Sequence, residues 1–170
     1  MNVELRELTL EMTDSLAALA NDVTIFNNVR DRFPHPYSRE NAVDFISASQ
    51  AQSPRNEYAV FMDGTFCGMC GLVPGEDVYR HTAEVGYWIG APYRGRGAAP
   101  AALKLLVARA FDRGFKRLYA GVYEWNPASR RVLEKAGFHL ECVQQWAVTK
   151  NGRTASQSIY VLFKEDLPRQ

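Results

Sequence analysis

The feature that most constrains this chain is a turn built on two glycines, Gly95 and Gly97, which joins a strand-like run to a helix-like run. The run before it, Ala83-Glu84-Val85-Gly86-Tyr87-Trp88-Ile89, reads as a strand. The run after it spaces Leu103, Leu106, Val107, Ala110 and Phe111 along one face of a helix. Arg94-Gly95-Arg96-Gly97-Ala98-Ala99 therefore lies where a helix begins. The first N–H groups of a helix lack intrahelical partners and carry a partial positive charge, and residues without bulk let an anion come close. Arg94 and Arg96 add side-chain charge suited to phosphate oxygens. Pro100 falls in the first turn, where a missing N–H breaks no helical bond. A plain strand-to-helix turn would also use glycine. Two other phosphate motifs are excluded, because no Lys-Ser/Thr follows the glycines and Gly-x-Gly-x-x-Gly is not matched.

In chain order, Val3, Leu5 and Leu8 suggest a first strand, and Thr13 or Asp14 caps a helix carrying Leu16, Leu19, Ala20 and Val23. A short helix over Ile25 to Arg32 is stopped by Pro34-His35-Pro36-Tyr37. Ser38 with Asn41 opens the next helix, with Ala42, Val43, Phe45, Ile46 and Ala48 as core candidates. Tyr58 to Met62 and Phe66 to Val73 read as strands joined by the hairpin signal Asp63-Gly64. A loop over Pro74 to His81 leads to the strand before the glycine turn, and Gly114 ends the helix after it. Leu118 to Tyr123 is a further strand, and a strand, helix, strand crossover predicts that it runs parallel to the first. Asn126-Pro127 then starts a helix closed by Gly137, and Asn151-Gly152 joins the last two strands, Phe138 to Thr149 and Ser158 to Lys164.

At 170 residues, 46% of them apolar, the chain is of a size for a single domain over residues 1–170. Its 20 basic and 19 acidic side chains leave a formal charge of +1, so no global field draws it to nucleic acid or to an anionic membrane. No apolar run approaches a membrane span and the N-terminus lacks a secretory layout, so a cytoplasmic protein is expected. Cys67-x-x-Cys70 invites a metal or redox reading, but it lies in a strand-like run and has no second cysteine pair. No metal site is expected, and Cys67, Cys70 and Cys142 are read as packing residues.

Arg94, Gly97 and Ala99 occupy the three defined places of Gln/Arg-x-x-Gly-x-Gly/Ala, so the turn resembles the acetyl-CoA pyrophosphate loop of the GNAT superfamily of N-acetyltransferases. Asn126-Pro127-Ala128-Ser129 with Leu133-Glu134-Lys135-Ala136-Gly137-Phe138 resembles a pattern of its RimJ/RimL-type branch, as do Arg30 and Pro34-His35-Pro36-Tyr37. The likeness covers nearly the whole chain. It implies an α/β (mixed α+β) fold: a mixed, mostly antiparallel sheet of about seven strands with helices on both faces and a V-shaped splay beside the main helix. It also implies acetyl-CoA as co-substrate. By the same likeness the backbone of Arg94, Gly95, Arg96, Gly97, Ala98 and Ala99 holds the pyrophosphate, Trp88 and Ile89 meet the pantetheine arm, and Asn126 and Ser129 add cofactor contacts. Arg30, His35, Tyr37 and Tyr123 are candidates for the acceptor mouth. The branch often carries an acid before its final strand, where this chain reads Ser156-Gln157-Ser158.

Acetyl transfer to an amine needs a neutral nitrogen, a site for the oxyanion and a proton for the departing thiolate. An α-amino group titrates near ~8 and lysine near ~10.4, so lysine costs about 3 kcal/mol more to deprotonate at neutral pH. Glu84, on the strand leading into the turn, is the candidate base, against the alternative of a strand-surface carboxylate; Glu124 and His81 stand in reserve. N–H groups near Trp88 and Ile89 would face the oxyanion if the strand bulges there. Ser129 is the candidate for the thiolate, against a local capping role. The expected activity is acetyl transfer to a primary amine, first a protein N-terminus, otherwise a polyamine or aminoglycoside. A non-catalytic acyl-CoA-binding module is the alternative, and RNA binding without chemistry is disfavoured by the balanced charge. A monomer and a homodimer are equally open.

Overall fold

The computed structural model describes residues 1–166. Seven strands hydrogen-bond in the order β1-β2-β3-β4-β5-β7-β6: β1 (Val3–Arg6), β2 (Glu57–Met62), β3 (Thr65–Pro74), β4 (Thr82–Ile89), β5 (Arg117–Tyr123), β6 (His139–Lys150) and β7 (Arg153–Phe163). The helices are α1 (Thr13–Ala20), α2 (Val23–Phe26), α3 (Arg39–Gln50), α4 (Ala98–Asp112) and α5 (Pro127–Lys135). The chain divides into two compact units, one of Met1–Gly71 with Tyr87–Ala102, the other of Leu72–Gly86 with the chain from Leu103 onward.

In the first unit β2 lies antiparallel to both β1 and β3. Asp63 and Gly64 both take positive φ, 50° and 79°, the geometry that lets a two-residue turn follow the twist of its strands. Helix α3 starts with a reciprocal cap: Asn41 N–H donates to Ser38 Oγ at 3.1 Å and Ser38 N–H to Asn41 Oδ1 at 2.9 Å. Losing such a cap costs about 1 kcal/mol. The core gathers Leu8, Leu16, Ala20, Tyr37, Ala42, Ile46, Ala59, Phe61, Phe66 and Met69. In the second unit the spacing read in α4 is realised, with Leu103, Leu106, Val107, Ala110 and Phe111 all buried. Each of these side chains larger than alanine contributes about 1.5–3 kcal/mol of burial. β4 and β5 run parallel, pairing Thr82 with Arg117, Ala83 with Leu118 and Glu84 with Tyr119. β7 lies antiparallel to β5 and to β6.

Several expectations need correction. Cys142 is exposed rather than packed, because β6 is the last strand of the sheet and its register slips between Leu140 and Cys142. Cys67 and Cys70 are buried, and burial pushes the Cys67 thiol up to about 11 against the pull of the Arg96 charge. The helix expected over Ile25 to Arg32 shrinks to Val23–Phe26, since Asp22 caps it from outside and the chain turns again where Phe33 N–H reaches Arg30 O at 3.0 Å. Leu8 is buried but lies past β1. In α3 the inward residue of the last turn is Ser49, while Ala48 faces solvent. β7 begins at Arg153, five residues before the expected Ser158.

Candidate active site

In the first unit β4 ends at Ile89 and the chain makes a single 3-10 turn over Ala91–Tyr93 before the glycines. Gly90 N–H donates to Cys67 O at 2.9 Å, which ties this point to β3. Gly95 and Gly97 have φ of 73° and 84°, a region that side chains with a Cβ rarely adopt. Alternations of this kind turn successive N–H groups toward a common side, as anion-holding nests do. The first bond across the head of α4 is Ala101 N–H to Gly97 O at 3.3 Å. The N–H groups of Ala98 and Ala99 precede it, at the electropositive end of a fifteen-residue helix. A Cβ at Gly95 would meet nothing within 4 Å, so the loop has an open face at that point. These residues fit a pyrophosphate.

The arginines of the loop differ. Arg96 is exposed, whereas the Arg94 guanidinium is held by the protein itself. Its Nε donates to Ile89 O at 2.8 Å, one Nη to Thr24 Oγ1 at 2.8 Å and the other to Asp22 Oδ2 at 2.9 Å. Three of the five Arg94 N–H groups are thus engaged by the protein, and swinging the guanidinium out to a phosphate would break these bonds. Its backbone stays in the loop.

Sequence reasoning missed Gly68 of β3. A Cβ there would sit 2.2 Å from Trp88 O and 3.0 Å from the Ile89 Cα, so only glycine lets the backbone of β4 approach so closely just before the loop. An isolated glycine inside a strand run was the available signal. Gly68→Ala is expected to push β4 outward at Trp88 and Ile89, destabilising the fold by about 1–3 kcal/mol and lowering kcat/KM. Thermal melting and steady-state kinetics check it; an unchanged melting temperature would mean that β4 yields without cost.

The acceptor candidates of this unit are placed unevenly. Trp88 is half-buried and stands edge-on to Phe33 at 6.3 Å, and Phe33 tilts against Tyr37 at 5.0 Å. Tyr37 is buried, its N–H donates to Asn21 Oδ1, and burial pushes its hydroxyl up to about 12. It stays neutral at any working pH and packs its ring against Phe33. His35 is exposed and stacks on Phe26 at 5.2 Å, and Arg30 is exposed.

In the second unit Glu84 is half-buried between the buried Ala83 and Val85, and its pairing with Tyr119 is the last in the β4/β5 register. Asn126 Oδ1 accepts from Ser129 N–H at 3.3 Å, so the cap of α5 is Asn126 and not Ser129. Tyr123 packs its ring 5.3 Å from Trp125, which also takes the Arg153 guanidinium on its face. Glu124 binds Arg153 at 2.7 Å and accepts from Ser156 N–H at 3.1 Å, a bracket between β7 and the end of β5 that a proton acceptor would have to leave. His81 is exposed, with Nδ1 3.3 Å from Gly114 O. Among the described residues no three His, Cys, Asp or Glu side chains gather as a metal site. No helix among them is long and apolar enough to cross a membrane.

Residues 2–139 match the model of the acetyltransferase (GNAT) domain. The chain belongs to the GNAT acetyltransferase family. The activity of the family is acetyl transfer, with acetyl-CoA as co-substrate. Among curated relatives, Bacillus subtilis YdaF, provisionally named a ribosomal N-acetyltransferase, is 32% identical over 111 residues, 65% of this chain and 60% of YdaF. The chain spans about half of the curated relatives it matches, 48% to 60% of their length. RimL, a ribosomal L7/L12 alpha-N-protein acetyltransferase solved with coenzyme A, superposes with a TM-score of 0.85 at 21% identity, over 96% of this chain and 94% of RimL. Mycobacterium smegmatis RimJ, solved with a CoA disulfide, gives 0.87 at 20%, over 98% and 84%. At these identities the two structures establish that the GNAT domain has their fold.

Proposed function

We propose that this GNAT domain, residues 1–170 as one transferase, moves acetyl from acetyl-CoA to the α-amino group of a protein N-terminus. The observation that carries the reading is the make-up of β4: it bears the half-buried Glu84 and leads through Trp88 and Ile89 into a loop with two positive-φ glycines ahead of a helix start. The amine nitrogen bonds to the thioester carbonyl carbon as the carbon–sulfur bond breaks. Glu84 takes the proton that the ammonium must shed before its nitrogen can attack. Backbone N–H groups near Trp88 and Ile89 meet the carbonyl oxygen as it gains charge. The Ser129 hydroxyl, in the first turn of α5, donates a hydrogen bond to the departing sulfur, which leaves as the thiolate and takes up the proton that the amine nitrogen loses on forming the amide.

An α-amino group is about half neutral near pH 8, so one carboxylate suffices to deprotonate the remainder. The ribosomal and alpha-N-protein acetyltransferases to which the chain is similar support this acceptor class. Release of CoA measured against N-terminal peptides, polyamines and aminoglycosides tests the reading. Turnover is expected with the peptides; turnover confined to the other amines would move the acceptor to a small molecule, and tight acetyl-CoA binding without turnover would leave a binding module. Ser129→Ala is expected to lower kcat by about tenfold or more with acetyl-CoA affinity nearly unchanged, since that contact forms mainly in the transition state. A normal kcat with a raised KM for acetyl-CoA would make Ser129 a binding residue.

A further inference from the structure

The hydrogen bonds of Arg94 form a closed circuit with the N-terminal end of α2. Thr24 N–H and Thr24 Oγ1 both donate to Asp22 Oδ1, at 2.8 and 2.6 Å. The Thr24 hydroxyl oxygen in turn accepts from one Arg94 Nη, and Asp22 Oδ2 accepts from the other. The hydroxyl proton thus points to the carboxylate and its lone pair to the guanidinium, so each group holds the next in orientation. The remaining edge of the guanidinium, Nε, closes back on Ile89 O and spans the 3-10 turn that separates β4 from the glycines. The Asp22 side chain is only 21% exposed and that of Arg94 40%, so this is not a loose surface pair. Burial by itself would raise the Asp22 carboxyl, but the Thr24 hydrogen bonds and the Arg94 charge outweigh it and hold the group below its ordinary range, ionised at neutral pH.

We infer that Asp22, acting through Arg94 with Thr24 as the bridge, is a positioning residue that holds the pyrophosphate loop in its binding shape before acetyl-CoA arrives, and that Arg94 is a strut rather than a phosphate ligand. This rests on residues 94–99 being the pyrophosphate loop. The physical gain is pre-organisation. A loop whose first residue is anchored by three bonds loses less freedom on binding than one that must be ordered by the ligand. Direct charge attraction to the phosphates then falls to Arg96 and to the head of α4.

The sign of one substitution separates a strut from a ligand. Asp22→Asn keeps a side-chain oxygen to cap α2 but sets an amide NH₂ where Arg94 needs an acceptor. If Arg94 were a phosphate ligand held in reserve, removing the carboxylate would release it and delete a negative charge nearby, so CoA would bind as tightly or more tightly. A strut predicts the reverse: calorimetric titration should show CoA binding about tenfold weaker in Asp22→Asn. Amide hydrogen exchange at residues 94–99 of the ligand-free protein should also quicken, while exchange in β5 and β7 stays as in the wild type. Unchanged or tighter CoA binding with unchanged loop exchange would overturn the inference. The underlying assignment has its own control, the wild type titrated with acetyl-pantetheine, which lacks the pyrophosphate. Binding as tight as that of CoA would overturn the loop assignment and the strut together. Weak acetyl-pantetheine binding beside an unaffected Asp22→Asn would overturn the strut alone.

Discussion

Gly97→Val should abolish measurable CoA binding, a loss of at least about a hundredfold in Kd, while the protein still folds. Gly97 has φ of 84°, where a β-branched residue is strained by roughly 1–3 kcal/mol. The loop must therefore either bear that strain or change shape. In either case a branched side chain stands at the start of α4, where the phosphate has to meet backbone N–H groups. The fold itself has room, since a Cβ at Gly97 would come no closer than 3.5 Å to another atom, the Met1 Cε. The melting temperature should fall by a few degrees, in line with a cost of that size in a chain of this length. Calorimetry with CoA and a thermal melt check the two halves separately. A folded variant with wild-type affinity would remove the loop from the site.

The second large effect concerns the proton. Glu84→Gln keeps the shape of a half-buried side chain on β4 but cannot accept a proton, so kcat/KM at pH 7 should drop by about 10²–10³. The loss should depend on pH in a way that reports the acceptor. An amine that is already neutral needs no base, so for an α-amino acceptor the variant should approach the wild type as pH rises through about 8, whereas for a lysine-like amine recovery is deferred toward ~10. The first pattern is expected. It is measured as kcat/KM against pH for both proteins with the best acceptor. Parallel profiles without loss would remove Glu84 as the base, and a loss constant at every pH would make it a residue that positions the amine.

The two predictions draw on different depths of reading. The glycine turn was visible because a strand, a turn and an amphipathic helix follow one another within about thirty residues, and local chemistry dictates each. Asp63-Gly64 and Asn151-Gly152 were legible for the same reason: both pairs take positive φ, and such dipeptides adopt it at little cost. The Ser38 and Asn41 cap and the Asn126-Pro127 start are again contacts between residues three or fewer apart. The parallel pairing of β4 with β5 followed from a crossover rule that needs only the order of elements. Ser129, by contrast, could be read as the cap of α5 until Asn126 was seen to fill that place.

What the sequence determined by itself is thus the set of elements, their order and the place of the glycine turn, because these rest on local spacing and on backbone preferences of individual residues. The tertiary structure decided what lies far apart in sequence. Arg94 meets Asp22 across 72 residues, a pairing that neither residue signals alone. Gly68 matters only because Trp88 O comes to lie against it. Cys142 looked like a packing residue and is exposed because its strand ends the sheet and slips in register there, while Ser49 turned inward where Ala48 was expected. Burial and partner choice are properties of the assembled surfaces. A side chain carries its chemistry in its own structure, but whether that chemistry faces a ligand, a neighbour or water is set by which distant segment is packed against it.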